Sequence, residues 1–134
     1  MTVPRIVTVP TIDHGPVQLV CPPWCTGHDQ TPQYRVDLAH VGPEQPFRVE
    51  TSRGSVETML AVLEQRPFTE TAPGRSVFVN LQIDAEAYPC SPEQLDQAAA
   101  ALVVHATHLR SLARQLSMLR ARALHHSTEE GETR

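Results

Sequence analysis

SVFVNLQIDAEAYPCSPEQLDQAAAALVV, residues 76–104, holds the reading that decides the fold: a half-buried strand followed at once by the start of a helix. Within Ser76–Asp84 the apolar Val77, Val79, Leu81 and Ile83 alternate with Ser76, Phe78, Asn80, Gln82 and Asp84, a period of two that gives one apolar and one mostly polar face. Ser91 then offers an N-cap, Pro92 fills the first helical position, and Gln94 completes a Ser-x-x-Gln capping box. From Pro92 no breaker occurs before about Leu124, so the pattern predicts one helix over 92–124. Roughly 33 residues at a rise of about 1.5 Å make a rod of about 50 Å. A compact domain of this length is only about 36 Å across, so the helix either overhangs the domain or is interrupted. The polar end, 125–134, reads as a disordered tail.

Upstream, proline rules out a mainly helical chain. Eleven of the twelve prolines precede Ser91, the twelfth is Pro92, and none follows. Each removes a backbone donor and holds its predecessor extended. Between them the strand candidates are Arg5–Val9, Val17–Val20, Phe47–Thr51, Val56–Gln65 and Ser76–Asp84. In Val56–Gln65 the spacing of Val56, Met59, Leu60 and Leu63 also suits a helix; the reading here is strand, joined antiparallel to Ser76–Asp84 through a turn over Arg66–Arg75. The expected fold is α+β: a small antiparallel sheet of four or five strands with one long C-terminal helix packed on one face, in a single domain over 1–124.

Composition narrows the function. The 134 residues are 40% hydrophobic and 19% charged, and the formal charge is -4, which disfavours bulk affinity for nucleic acid. All eleven basic residues are Arg. No apolar run reaches the length of a membrane span and MTVPRIVTVP lacks the pattern of a signal peptide, so a cytoplasmic protein that meets no membrane is expected. Three cysteines, Cys21, Cys25 and Cys90, then argue against a disulfide framework.

The densest chemistry lies in CPPWCTGH, Cys21–His28, followed by His40. Cys21-x3-Cys25-x2-His28-x11-His40 supplies two thiolates and two imidazoles, the donor set that suits tetrahedral zinc. Pro22 and Pro23 stiffen the knuckle over 21–40, Gly27 relieves it, and Trp24 covers one side. His14, Asp29, Asp37 and Cys90 are alternatives to His40 as the fourth ligand. The competing reading makes Cys21 and Cys25 small buried hydrophobes beside a structural Trp. With four protein ligands a zinc site is closed and structural. No Gly-rich phosphate loop, nucleophile elbow or paired carboxylate is present, which leaves a zinc or thiol enzyme as an alternative and no catalytic residue assigned.

These residues resemble a family of small actinobacterial proteins that carry a domain of unknown function. Its marker is a Cys-Pro-x-Trp-Cys segment, here Cys21-Pro22-Pro23-Trp24-Cys25, with a His shortly after, His28, and a later His-x-Gly, His40-Val41-Gly42. The late strand and the Ser-Pro-Glu-Gln-Leu entry to an Ala/Leu-rich helix are also similar, over most of Val3–Leu112. The resemblance implies the pairing of His28 with His40 and favours strand for Val56–Gln65. It implies no activity.

In the helix, Leu95, Leu102, Leu109 and Leu116 recur every seven residues, with Ala98, His105, Leu112 and Leu119 between them, a heptad seam. Its first half, rich in Ala98–Ala101, is suited to the sheet and its second half to a partner. His105 and His108 stand one turn apart and read as ordinary helical histidines. Arg110, Arg114, Arg120 and Arg122 give residues 97–126 a charge of +4 against -6 for residues 1–96. The favoured function is a non-enzymatic zinc-binding interaction or regulatory module that meets a second copy or a protein partner through this helix. A nucleic-acid-associated regulator reading through the four arginines is the less favoured alternative.

Overall fold

The computed structural model describes residues 5–71 and 74–132. The chain forms two compact units, Met1–Pro92 and Glu93–Arg134. The first unit is two antiparallel sheets and the second is one helix, so the α+β class stands.

The first sheet is a two-stranded ribbon, β1 (Arg5–Thr11) and β2 (Gly15–Cys21), in the register Arg5 with Cys21 through Thr11 with Gly15. Alternation decides its faces. Val9 and Leu19 are buried on one face with Cys21, whereas Ile6 and Val20 stand exposed on the other. Pro10 and Pro16, expected to interrupt strands, sit opposite one another inside this ribbon. Each strand of a two-stranded ribbon is an edge, and an edge tolerates a missing donor. Leu38 folds over the buried face to make a core of Val9, Leu19 and Leu38, against which Val7, Val17 and Phe68 pack.

The second sheet has the order β3 (His40–Val41), β5 (Gly54–Gln65), β6 (Phe78–Ile83), β7 (Glu86–Cys90), and β4 (Gln45–Thr51) also pairs with β5. Val56–Gln65 is thus strand, and it meets β6 antiparallel as the hairpin expectation required. Pro73 of the expected turn lies outside the described residues. Two strands were not foreseen: β3, because two residues are too few to show a period, and β7, because Pro89 argues against a strand. Pro89 is accommodated since β7 is the sheet's edge. Phe78, assigned by alternation to the polar face of β6, is buried, as is Leu81 on the opposite face, so β6 carries apolar side chains inward on both sides.

The helix α1 runs Pro92–Glu132 without interruption, beyond the expected end at Leu124. Its 41 residues make a rod of about 60 Å at 1.5 Å per residue. Among the described residues no helix is long and apolar enough to cross a membrane.

Candidate metal centre

Four segments converge on one point. Cys21 is the last residue of β2, opposite Arg5 of β1, so the ribbon's hydrogen bonds fix its backbone. The Cys25 amide donates to the Pro22 carbonyl at 3.0 Å, closing a tight turn with Pro23 at its second position, where a pinned φ favours the bend. This turn brings the Cys25 sulfur back toward Cys21. The Arg5 guanidinium donates to the Cys25 carbonyl at 3.1 Å and ties the turn to the start of β1. Gly27 follows with φ +113°, a conformation that L side chains rarely adopt, and it redirects the chain so that His28 faces the cysteines.

His40 arrives on a different support. It opens β3, whose backbone is paired with Gln65 of β5, and it is 3% exposed. The Thr26 amide and hydroxyl both donate to the Val41 carbonyl, at 2.9 and 3.0 Å, clamping the turn segment onto β3. Trp24 stands edge-on to the His40 ring, with centroids 6.4 Å apart. A Cβ at Gly42 would meet Leu63 at 3.3 Å and Trp24 Cε3 at 3.6 Å, so the absence of a side chain there admits the indole.

The ligating atoms of Cys21, Cys25, His28 and His40 all lie within 4.8 Å of one another. His28 Nε2 is 3.1 Å from Cys21 Sγ, 3.6 Å from Cys25 Sγ and 3.3 Å from His40 Nδ1. Cys21, Cys25 and His40 are buried and His28 is half-buried. Burial pushes the Cys21 thiol up to about 11, with the neighbouring Cys25 adding to the rise and Arg5 opposing it. Burial likewise holds His28 and His40 below the ordinary histidine value, reinforced by Arg5 at His28 and by His28 at His40. The protein surroundings therefore favour a neutral Cys21 thiol and neutral imidazoles. Neutral imidazole is the form that ligates a cation, while a divalent ion would reverse the preference of the Cys21 thiol.

The four residues that the sequence singled out are thus brought together, close enough to hold a metal. The alternatives to His40 stand elsewhere: His14 pairs with Asp13 at 3.0 Å, Asp29 accepts the Thr31 amide at 3.0 Å, and the Cys90 thiol faces the Tyr88 carbonyl at 3.3 Å. Arg5 and Thr26 support the site without a signal in the sequence, because each bonds to a backbone carbonyl, whereas Gly42 was flagged by the His-x-Gly marker and its role is to leave space for the indole.

No curated protein and no solved structure matches the chain. The family described as a domain of unknown function, DUF6907, matches residues 6–118, a span that holds the whole Cys/His cluster and most of α1, and the chain belongs to that family.

Proposed function

We propose that Cys21, Cys25, His28 and His40 hold one structural zinc ion, and that the protein is a non-enzymatic interaction module built around it. One observation carries the reading: His28 Nε2 faces three donor atoms at 3.1, 3.3 and 3.6 Å. A neutral imidazole nitrogen has a single in-plane lone pair or a single hydrogen, so it satisfies one such neighbour by hydrogen bonding. An ion shared by all four groups accounts for the three approaches together. Zinc bonds of about 2.0–2.1 Å to nitrogen and about 2.3 Å to sulfur place tetrahedral ligands about 3.4–3.8 Å apart, close to the separations observed. Two thiolates and two imidazoles also favour zinc over hard cations.

Such an ion has its four positions filled by protein, which suits structure and leaves no place for a reacting water. The interacting element is then α1, whose Leu102, Leu109, Leu112, Leu116 and Leu119 are about half exposed. Metal analysis of the purified protein tests the reading: one zinc per chain is expected, and cobalt substitution should give the visible absorption of a tetrahedral sulfur and nitrogen site. A substoichiometric ion content after purification in zinc-supplemented buffer would overturn it.

A further inference from the structure

We infer that the face of the five-stranded sheet beside the β5–β6 turn is a binding site for a small zwitterion, an α-amino acid with an apolar side chain. It is built from residues outside the Cys/His cluster. The strand register sets Glu64 of β5 opposite Phe78 of β6, and Asn80 of β6 between Val62 on one side and Pro89 of β7 on the other. Side chains of paired residues share a face, so Glu64, Phe78, Asn80 and Pro89 stand together, and a cavity of about 270 Å³ opens over them.

The rim of the cavity is held by its own hydrogen bonds. The Arg66 amide donates to the Gly74 carbonyl at 2.6 Å, the Gly74 amide to the Thr71 carbonyl at 3.1 Å, and Gln65 Nε2 to the Arg75 carbonyl at 2.8 Å. The Thr69 and Thr71 hydroxyls are themselves hydrogen-bonded at 3.1 Å. A Cβ at Gly74 would collide with the Thr69 side chain, so only glycine lets the rim close this tightly. A recess formed before its ligand arrives spends little on ordering.

The polar groups inside it are incompletely filled. Glu64 is 9% exposed, and its ion-pair partner, Arg66 Nε, stands 3.8 Å from its carboxylate, too far for a hydrogen bond. Asn80 Oδ1 is buried without a hydrogen-bond partner. A native protein rarely leaves such acceptors empty, because each forfeits the bonds it made to water. The Asn80 amide carries both an acceptor and donors, so by rotation it serves either an ammonium or a carboxylate.

The placement of charge selects the ligand. Glu64 lies deep and calls for a cation that donates hydrogen bonds, whereas the half-exposed Arg66 guanidinium at the rim calls for an anion, ideally a carboxylate gripped through two parallel bonds. A simple cation would meet Arg66 as a like charge, and a simple anion would meet Glu64. A molecule with an ammonium and a carboxylate on neighbouring carbons answers both at once. Phe78, Ala87 and Pro89 give an apolar wall for its side chain. The volume falls just below the range of about 300–1,000 Å³ that holds drug-sized ligands, so a single amino acid fits better than a peptide.

Nitrogen–proton correlation spectra of the full chain, titrated with glycine, L-alanine and L-leucine, test the site. L-Leucine should shift the Asn80 side-chain amide and the backbone amides of Glu64 and Gly74, saturating with a Kd of about 1 mM or tighter. Isoamylamine and isocaproate, which are leucine without its carboxylate and without its ammonium, should each bind roughly tenfold or more weakly. Glu64→Gln and Arg66→Gln should each weaken L-leucine by a similar factor while the spectrum stays dispersed. Arg66 is half-exposed, so its variant remains informative if Glu64→Gln disturbs folding. No shift with any of the three amino acids at about 10 mM, where a Kd of about 1 mM leaves the site about nine-tenths filled, would overturn the proposal and reduce the cavity to a dimple beside a surface ion pair. Isoamylamine or isocaproate binding as tightly as L-leucine overturns it too, as does a folded variant of either residue with unchanged affinity.

Discussion

The backbone of His40 is paired with Gln65 on the five-stranded sheet while its ring nitrogen stands 3.3 Å from His28 Nε2, on the segment that leaves the two-stranded ribbon. Two sheets that share no ladder hydrogen bonds therefore meet through side chains at the Cys/His cluster. Cys21 belongs to one sheet and His40 to the other. An ion held there acts as a cross-link between them.

Chelation of the metal is expected to lower the stability of the first unit by about 3–4 kcal/mol when zinc is present at a hundred to a thousand times its dissociation constant. A melting temperature lower by roughly 10 °C or more would follow for a unit of this size. His40→Ala should show the lower value from the start and no further response to chelator, whereas Cys90→Ser should melt like the parent. Differential scanning calorimetry of the three proteins, each with and without chelator, measures these differences.

The metal-free protein should be most stable between about pH 6.5 and 9. Below that window the unfolded histidines bind protons that His28 and His40, held below their ordinary value, do not, so stability falls as pH falls. Above it the unfolded Cys21 thiol ionises near 9.0 while the folded one resists to about 11, so the folded state keeps the extra proton and stability falls as pH rises. Urea midpoints across pH check both limbs. Flat midpoints from pH 5 to 10 would contradict the burial of these groups.

Gly27→Ala should cost about 1–3 kcal/mol, because φ +113° is a conformation that an L residue adopts only under strain. A Cβ there meets nothing within 4 Å, so the effect is one of backbone alone. The strain falls on the residue that aims His28, and zinc affinity should drop with stability. Competition against a chromogenic chelator reads the affinity, and Gly15→Ala in the β1–β2 turn serves as a comparison that leaves it unchanged.

Much of this architecture was readable from local pattern. The alternation in Ser76–Asp84 and the Ser91–Pro92–Gln94 start signal are short-range effects, and both elements form where those signals lie. The clustering of Cys21, Cys25 and His28 was readable for the same reason. His40 was legible as a donor, but its delivery depends on β3, whose pairing with β5 is a long-range contact that two residues cannot announce. Pro10, Pro16 and Pro89 misled the strand limits because proline forbids a central strand and not an edge, and edges exist only once topology is known. Helix continued past Leu124 because nothing between 125 and 132 stops it: the one glycine there, Gly131, weakens a helix at its end without terminating it.

The order of the ligands along the chain bears on how the molecule assembles. Cys25 follows Cys21 by four residues and His28 follows Cys25 by three, while His40 comes twelve residues after His28. Loops that short close on a timescale of tens of nanoseconds, long before a sheet built on distant pairings is complete. An ion bound by this cluster would meet three of its ligands on the nascent chain while β3 and β5 are still apart, and the arrival of the last imidazole would then coincide with the docking of one sheet on the other. The cluster sets a sequence of events in time as well as a position in space.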